Sequence, residues 1–195
     1  MRKAGLQWGR RRWTVAAAVG AATLAGVLAW RAFGPGEPLP APLRGLDARG
    51  AVALANEWAA RGESVESFVT TEAVHFRWPD GRQAAVPLPA QSMYVAVAPY
   101  LEHTHPCTVH YISSCRAELA GVPFVVTART ADGRVVLQQT LTSLPNGFVE
   151  LWLPRGMDLV LTVEWPEARL VGQGRIVTGA DAPTCVTDIR LARAG

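Results

Sequence analysis

Apolar and polar positions along this chain change period once. Between Asp47 and Gly62, the residues Ala51, Leu54, Ala55 and Trp58 recur at i, i+3, i+4 and i+7, the spacing that lines one face of a helix. Asp47 can cap the start and Gly62 can terminate the end. The pattern predicts a helix over 47–61. Beyond it the segments shorten and become β-rich. "VHFRWPDGRQAAVPL" reads as a hairpin around Pro79-Asp80-Gly81, and "VPFVVTARTADGRVVLQQTL" as another around Ala131-Asp132-Gly133. "MYVAVAPY", residues 93–100, is a compact apolar run, which suits a buried strand. "GFVELWLP", "DLVLTVEW", "RLVGQGRIV" and "CVTDIRL" are further strands, each bounded by turn residues. Gly172-Gln173-Gly174 suggests a strand irregularity.

These elements predict an α+β protein: a short N-terminal helix and β-hairpin with a C-terminal antiparallel β-sandwich. "TLTSLPNGFVELWLPRG" resembles the strand–turn–strand of transthyretin-like sandwiches, an analogy of fold that carries no function. The expected organisation is a helix and hairpin subdomain over 46–100, then a loop and sandwich domain over 101–195. "GPGEPLPAPLRG", residues 34–45, reads as a semi-rigid Pro/Gly linker.

Upstream, Arg10-Arg11-Arg12 precedes "WTVAAAVGAATLAGVLAW", residues 13–30, which contains no charge. A basic flank before an apolar run is an export signal or a signal anchor, assigned to residues 1–33. Val27-Leu28-Ala29 offers a cleavage site. A retained anchor is the alternative, although about 18 residues is at the short limit for a span. No cysteine precedes Cys107, which excludes a lipidated N-terminal cysteine. The sequence pI of 9.1 reflects this segment, which holds six of the 19 basic residues and no acid. From residue 34 onward 13 arginines face 16 acids, a formal charge of −3. Without a basic stripe there is no reason to expect nucleic acid as a partner. The main domain is expected outside the cytoplasmic membrane, where disulfides persist.

The chemistry is concentrated in "HTHPCTVHYISSC", residues 103–115, with three of the four histidines and two of the three cysteines. It lies in a connection of roughly 20 residues, longer than most in a compact domain. A Cys107–Cys115 disulfide is the simplest reading, and it leaves one thiol unexplained. The histidines argue for a metal instead. In an extended segment His103, His105 and Cys107 would share one face, with His110 and Cys115 in reach if the loop folds back. His75 stands apart and reads as structural. Cys185 could join only if the fold brings the start of the last strand to the loop. Structural zinc prefers cysteines two to four residues apart, and iron–sulfur clusters generally need four. Cu(I) is soft and accepts two or three sulfur or imidazole ligands; Zn(II) remains possible in vitro. A Cys–His nucleophile, Cys107 with His105 or His110, lacks any known motif around it. Ser113 and Ser114 have no nucleophile context, so no catalytic residue is assigned. Thiol redox chemistry or metal reduction by the same cysteines is the alternative function. A binding domain for another protein is a third.

"MYVAVAPYLEHTHPCTVHYISSC", "NGFVELWLPRG" and "PTCVTDIRL" together resemble the CueP family of periplasmic copper-binding proteins, from the predicted helix to near the C-terminus. The resemblance implies a copper-holding protein of the periplasm that supports copper tolerance and acts as a metallochaperone, with a Cu,Zn superoxide dismutase as the implied recipient. Carried over, Cys107, Cys115 and Cys185 are the thiolate ligands. His103 and His105 are imidazole ligands or supports of the site, and His110 is a further candidate. Pro106 stands where relatives carry an acidic residue, which stiffens the loop and removes a charge. A retained anchor at 13–30 would be a second departure, tying the protein to the membrane surface.

Overall fold

A computed structural model describes residues 39–193; the signal or anchor expected over 1–33 and the start of the Pro/Gly segment lie outside the described residues. From residue 39 onward that segment packs on the fold: a 3-10 turn spans Ala41–Leu43, and Leu43 is fully buried. Helix α1, Ala48–Arg61, begins where Asp47 accepts the Gly50 backbone N–H at 2.8 Å and ends at Gly62 in the left-handed region. Its buried face is made of Ala48, Ala51, Val52 and Ala55. Small side chains let the helix approach the sheets closely. Among the described residues no helix is long and apolar enough to cross a membrane.

The strands are β1 (Glu66–Val69), β2 (Ala73–Arg77), β3 (Gln83–Pro87), β4 (Ser92–Val97), β5 (Pro123–Thr130), β6 (Val135–Thr142), β7 (Val149–Pro154), β8 (Asp158–Trp165), β9 (Leu170–Val177), β10 (Cys185–Val186) and β11 (Ala192–Arg193). They form three sheets, ordered β1-β2-β3, β10-β4-β7 and β11-β9-β8-β5-β6. All pairings are antiparallel except β10 with β4. Among the described residues the fold is thus one α-helix with mostly antiparallel sheets, as the pattern predicted, and both Asp-Gly hairpins form where expected.

Strand β4 joins the layers. Met93, Val95 and Val97 face the five-stranded sheet and pack with Phe124, Val126, Leu161 and Val163. Tyr94, Ala96 and Ala98 face the other way, toward α1 and the β1-β2-β3 sheet. Alternate side chains of a strand point to opposite faces, so a strand with a core on each side must be apolar throughout. That is why "MYVAVAPY" shows no alternation.

Three details differ from the sequence expectation. β1 has little apolar signal and was not anticipated; it forms because β2 pairs with it and His110 bridges it at Val69. The parallel β10–β4 pair was also hidden, since two residues carry no periodicity. Gly172 and Gly174 mark no irregularity: β9 pairs with β8 in continuous register. A Cβ on Gly172 would lie 2.6 Å from the Arg190 carbonyl oxygen, so the glycine admits the chain segment that follows β10.

Gly147 combines two constraints near the cysteine loop. Its φ is +85°, and a Cβ would lie 2.6 Å from the Ala117 carbonyl oxygen. The same turn receives the Ala117 N–H at Asn146 O, 2.7 Å away. Gly147→Ala is expected to lower stability by about 2 kcal/mol or more, through φ strain plus a backbone clash. Chemical denaturation of the purified variant beside wild type checks this.

Candidate metal centre

The loop that carries most of the site is tied to two strands. The Thr108 carbonyl accepts from Thr184 N at 2.9 Å and Cys185 N at 3.3 Å. The buried Thr184 hydroxyl donates to Val69 O at 2.6 Å and accepts the His110 N–H at 3.1 Å. One threonine therefore links β1, the loop and β10. Two residues later the chain turns, with Ser114 N and Cys115 N both donating to Tyr111 O at 3.1 and 2.8 Å. The buried Ile112 fastens that turn into the core.

Cys185 opens β10 opposite Ala96 of β4. It therefore faces the helix-side core, where the loop's cysteines also pack. The three sulfurs all lie within 4.8 Å of one another. Cys107 and Cys185 are joined as a disulfide with Cα atoms 5.5 Å apart. The Cys115 thiol is free, 3.8 Å from the Cys107 sulfur. The eight-residue spacing suggested a Cys107–Cys115 bridge; the bridge that forms spans 78 residues, because β10 delivers Cys185 beneath the loop. Cys185 is 2% exposed, whereas Cys107 and Cys115 are half-buried. Burial raises the Cys115 thiol pKa, opposed by the Tyr111 amide contact and the Arg116 guanidinium.

The histidines separate into two groups. His110 is fully buried, with Nδ1 3.9 Å from the Cys185 sulfur and Nε2 without a partner. Its ring packs on Phe148 at 4.5 Å. Desolvation by burial lowers its pKa to about 3, so the ring is neutral at ordinary pH. His103 and His105 are exposed and lie outside the three-thiol group. The segment 103–107 forms no strand, so the shared face expected of His103, His105 and Cys107 is not built. Instead, Glu118 accepts the backbone N–H groups of Leu101 (2.7 Å) and Glu102 (3.1 Å), while Thr187 Oγ1 donates to His105 O at 2.6 Å. The His105 ring turns to Arg116 O, 3.1 Å from Nε2. Both histidines line a cleft of about 280 Å3 with Tyr100, Arg116, Glu118 and Thr187. His75 is structural as expected, held by Thr70 at 3.1 Å and stacked on Phe68.

A polar group missed by sequence reading lies on the same side of β4. Glu150 of β7 accepts from both Tyr94 Oη and Asn56 Nδ2 at 2.8 Å. It alternates with Leu151 and Val149 on an otherwise apolar strand, the one signal that could have revealed it. The Cys107–Cys115 pair has the spacing of two thiolates on one soft metal, while Cys185 is bonded to Cys107 and would reach that spacing only once the disulfide is reduced. Thiolate–metal bonds of about 2.3 Å in a trigonal plane put sulfurs about 4 Å apart, close to the 3.8 Å between Cys107 and Cys115.

The comparison with known families decides the kinship. The family described as "Periplasmic copper-binding protein CueP" matches residues 52–190. The chain belongs to the CueP family. A solved structure, "Crystal Structure of S.CueP", is similar at 28% identity and a TM-score of 0.70, over 77% of this chain and 91% of that one. No curated protein sequence matches significantly. The periplasmic copper-binding family and the cysteine cluster thus coincide in one chain, and the match covers all three cysteines.

Glu150 supplies a pH test of this core. Desolvation raises its pKa, and the Asn56 and Tyr94 hydrogen bonds only partly oppose that. A carboxyl whose folded pKa is raised binds its proton more tightly in the folded state. Its contribution to stability therefore declines as pH rises from the ordinary carboxylate value through the raised folded value. Glu150→Gln keeps an acceptor for Tyr94 and Asn56 and lacks that decline. Its Tm relative to wild type is expected to improve between pH 4 and pH 8, measured by thermal melts across that range.

Proposed function

We propose that this chain sequesters Cu(I) outside the cytoplasmic membrane, with Cys107, Cys115 and Cys185 as thiolate ligands in the reduced protein. The observation that carries the reading is the meeting of all three sulfurs within 4.8 Å in a member of a copper-binding family. Three sulfurs and a buried neutral imidazole form a soft donor set, which favours Cu(I) over hard cations; Zn(II) is the expected competitor in vitro. His110, 3.9 Å from Cys185, is placed to support or complete the ligand set. His103 and His105, on the exposed cleft beside the loop, would collect copper before it reaches the sulfurs. Arg116 offsets part of the thiolate charge at Cys115. Delivery to a recipient such as a Cu,Zn superoxide dismutase rests on the family resemblance. Residues 1–33 are proposed to export the domain, either cleaved or retained as an anchor at 13–30.

Thiol redox chemistry is the second reading, and the Cys107–Cys185 disulfide favours it. Forming that bond from two thiols releases two electrons and two protons, enough to reduce two Cu(II) to two Cu(I). The same cysteines cannot hold copper and be disulfide-bonded at once.

An anaerobic Cu(I) titration of the reduced protein, competed with a chromogenic chelator, separates these readings. Wild type is expected to bind one Cu(I) per chain, and Cys185→Ser to lose about 100-fold or more in affinity, at or beyond the upper end of what loss of a mere outer-shell partner costs. Equally weak binding in the two proteins would remove the copper site and leave the redox reading.

A further inference from the structure

In the oxidised protein the disulfide is hard to reach from one side. Cys185 is 2% exposed, beneath the loop and against His110. The free thiol of Cys115 stands 3.8 Å from the Cys107 sulfur, at sulfur–sulfur contact distance. Its backbone is held there, since its N–H is bonded to Tyr111 O at 2.8 Å in a turn fastened by the buried Ile112. Cys107 and Cys115 are both half-buried at the surface. The sulfurs thus run from an outer pair to one buried behind it.

We propose that Cys115 is a resolving thiol that shifts the disulfide outward, from Cys107–Cys185 to Cys107–Cys115, where an external dithiol reductant can attack it. The Cys115 thiolate, its proton given to solvent, turns about its Cα–Cβ bond from beside the Cys107–Cys185 bond, where all three sulfurs lie within 4.8 Å, to the side opposite Cys185, and attacks the Cys107 sulfur. The S–S bond to Cys185 breaks, and the Cys185 sulfur takes up a proton from solvent as it leaves, so that it ends as a thiol and no thiolate is left in its buried, apolar surroundings. No electrons are gained or lost in this exchange. The external dithiol next attacks Cys115, displaces Cys107 and closes its own disulfide. It gives up two electrons, and the protein ends with three thiols. Without the first step, a reductant must attack a bond whose inner sulfur is buried and whose outer sulfur is only half-exposed, with the Cys115 sulfur 3.8 Å away. The exchange needs no metal and stands apart from the copper reading; its role would be to return the oxidised protein to the three-thiol state.

The test uses the metal-free, oxidised full chain. Dithiothreitol is added, aliquots are quenched in acid and alkylated, and the peptides are mapped by mass spectrometry. Early aliquots of wild type are expected to contain a peptide linked through Cys107 and Cys115, with Cys185 alkylated. Cys115→Ser is expected to lose its Cys107–Cys185 bridge at least about tenfold more slowly, since exchange rates follow access to the attacked sulfur. The wild-type trapping experiment stands even where the variant folds poorly. Equal rates in the two proteins, or a wild-type time course in which Cys107 and Cys185 become free together with no Cys107–Cys115 peptide, overturns the proposal.

Discussion

The pairing of β10 with β4 is the constraint on which the rest depends. It is only two residues long, Cys185 with Ala96 and Val186 with Val97. It is extended by Ala96 N to Thr184 O and Ala98 N to Val186 O, at 2.9 and 2.8 Å. A parallel pair needs a long crossover, and here that crossover contains the sandwich strands β5 to β9. Ala96 and Cys185 therefore meet only when that part of the chain is folded. The cysteine cluster is a product of the tertiary structure and not of any local segment. In an unfolded chain Cys107 and Cys115 would be neighbours and Cys185 remote, which favours the short bridge. The folded state selects the long one. Conversely, a ligand held by all three sulfurs would bind the folded state alone and stabilise it by mass action.

β4 can host this pairing because both of its faces are spent on packing. One face closes the sandwich and the other closes the core under α1. A strand pinned on two sides has little freedom to shift register, since a one-residue slip would exchange the two faces. The smallest residues of the helix-side face, Ala96 and Ala98, lie where Cys185 and the 103–115 loop approach. Larger side chains there would fill the space that the sulfurs occupy. Tyr94, next along that face, extends instead toward Glu150 and Asn56. It gives a buried polar anchor to a layer that would otherwise be held by apolar contact alone.

Much of this was legible in the residues, and the parts that were not have physical reasons. Asp47, the i, i+3, i+4 spacing and Gly62 are local signals, and the helix follows them within a residue. The two Asp-Gly turns are equally local. The unbroken apolar run of β4 announced a buried strand without saying that a core would cover each face. The identity of the cysteine partners was not legible, because an eight-residue spacing permits a bridge but says nothing of a strand end 70 residues away. Alternation along residues 103–107 placed His103 and His105 with Cys107 only on the premise of an extended chain. Glu118 and Thr187 hold that segment in a bent path, and neither residue signals this from its own sequence neighbourhood. Glu150 was overlooked because a single acid in a strand ordinarily faces water.

The burial gradient through the three sulfurs has a chemical consequence. The innermost, Cys185, is enclosed by apolar neighbours and a neutral imidazole, where an uncompensated thiolate is strongly disfavoured. It is stable there as a thiol, as half of a disulfide, or as a ligand to a cation that offsets its charge. Cys107 and Cys115, nearer solvent, can change among these states more readily. The redox state of the Cys107–Cys185 pair and the occupancy of the proposed metal site would therefore exclude one another through the same sulfur atoms. A soft cation bound at the cluster would withhold both sulfurs from oxidation, and oxidation would withdraw two of the three donors from the cation. Copper retention would then depend on the thiol–disulfide balance of the compartment as well as on affinity, and the buried sulfur couples the two, since it is the least able of the three to remain charged and alone.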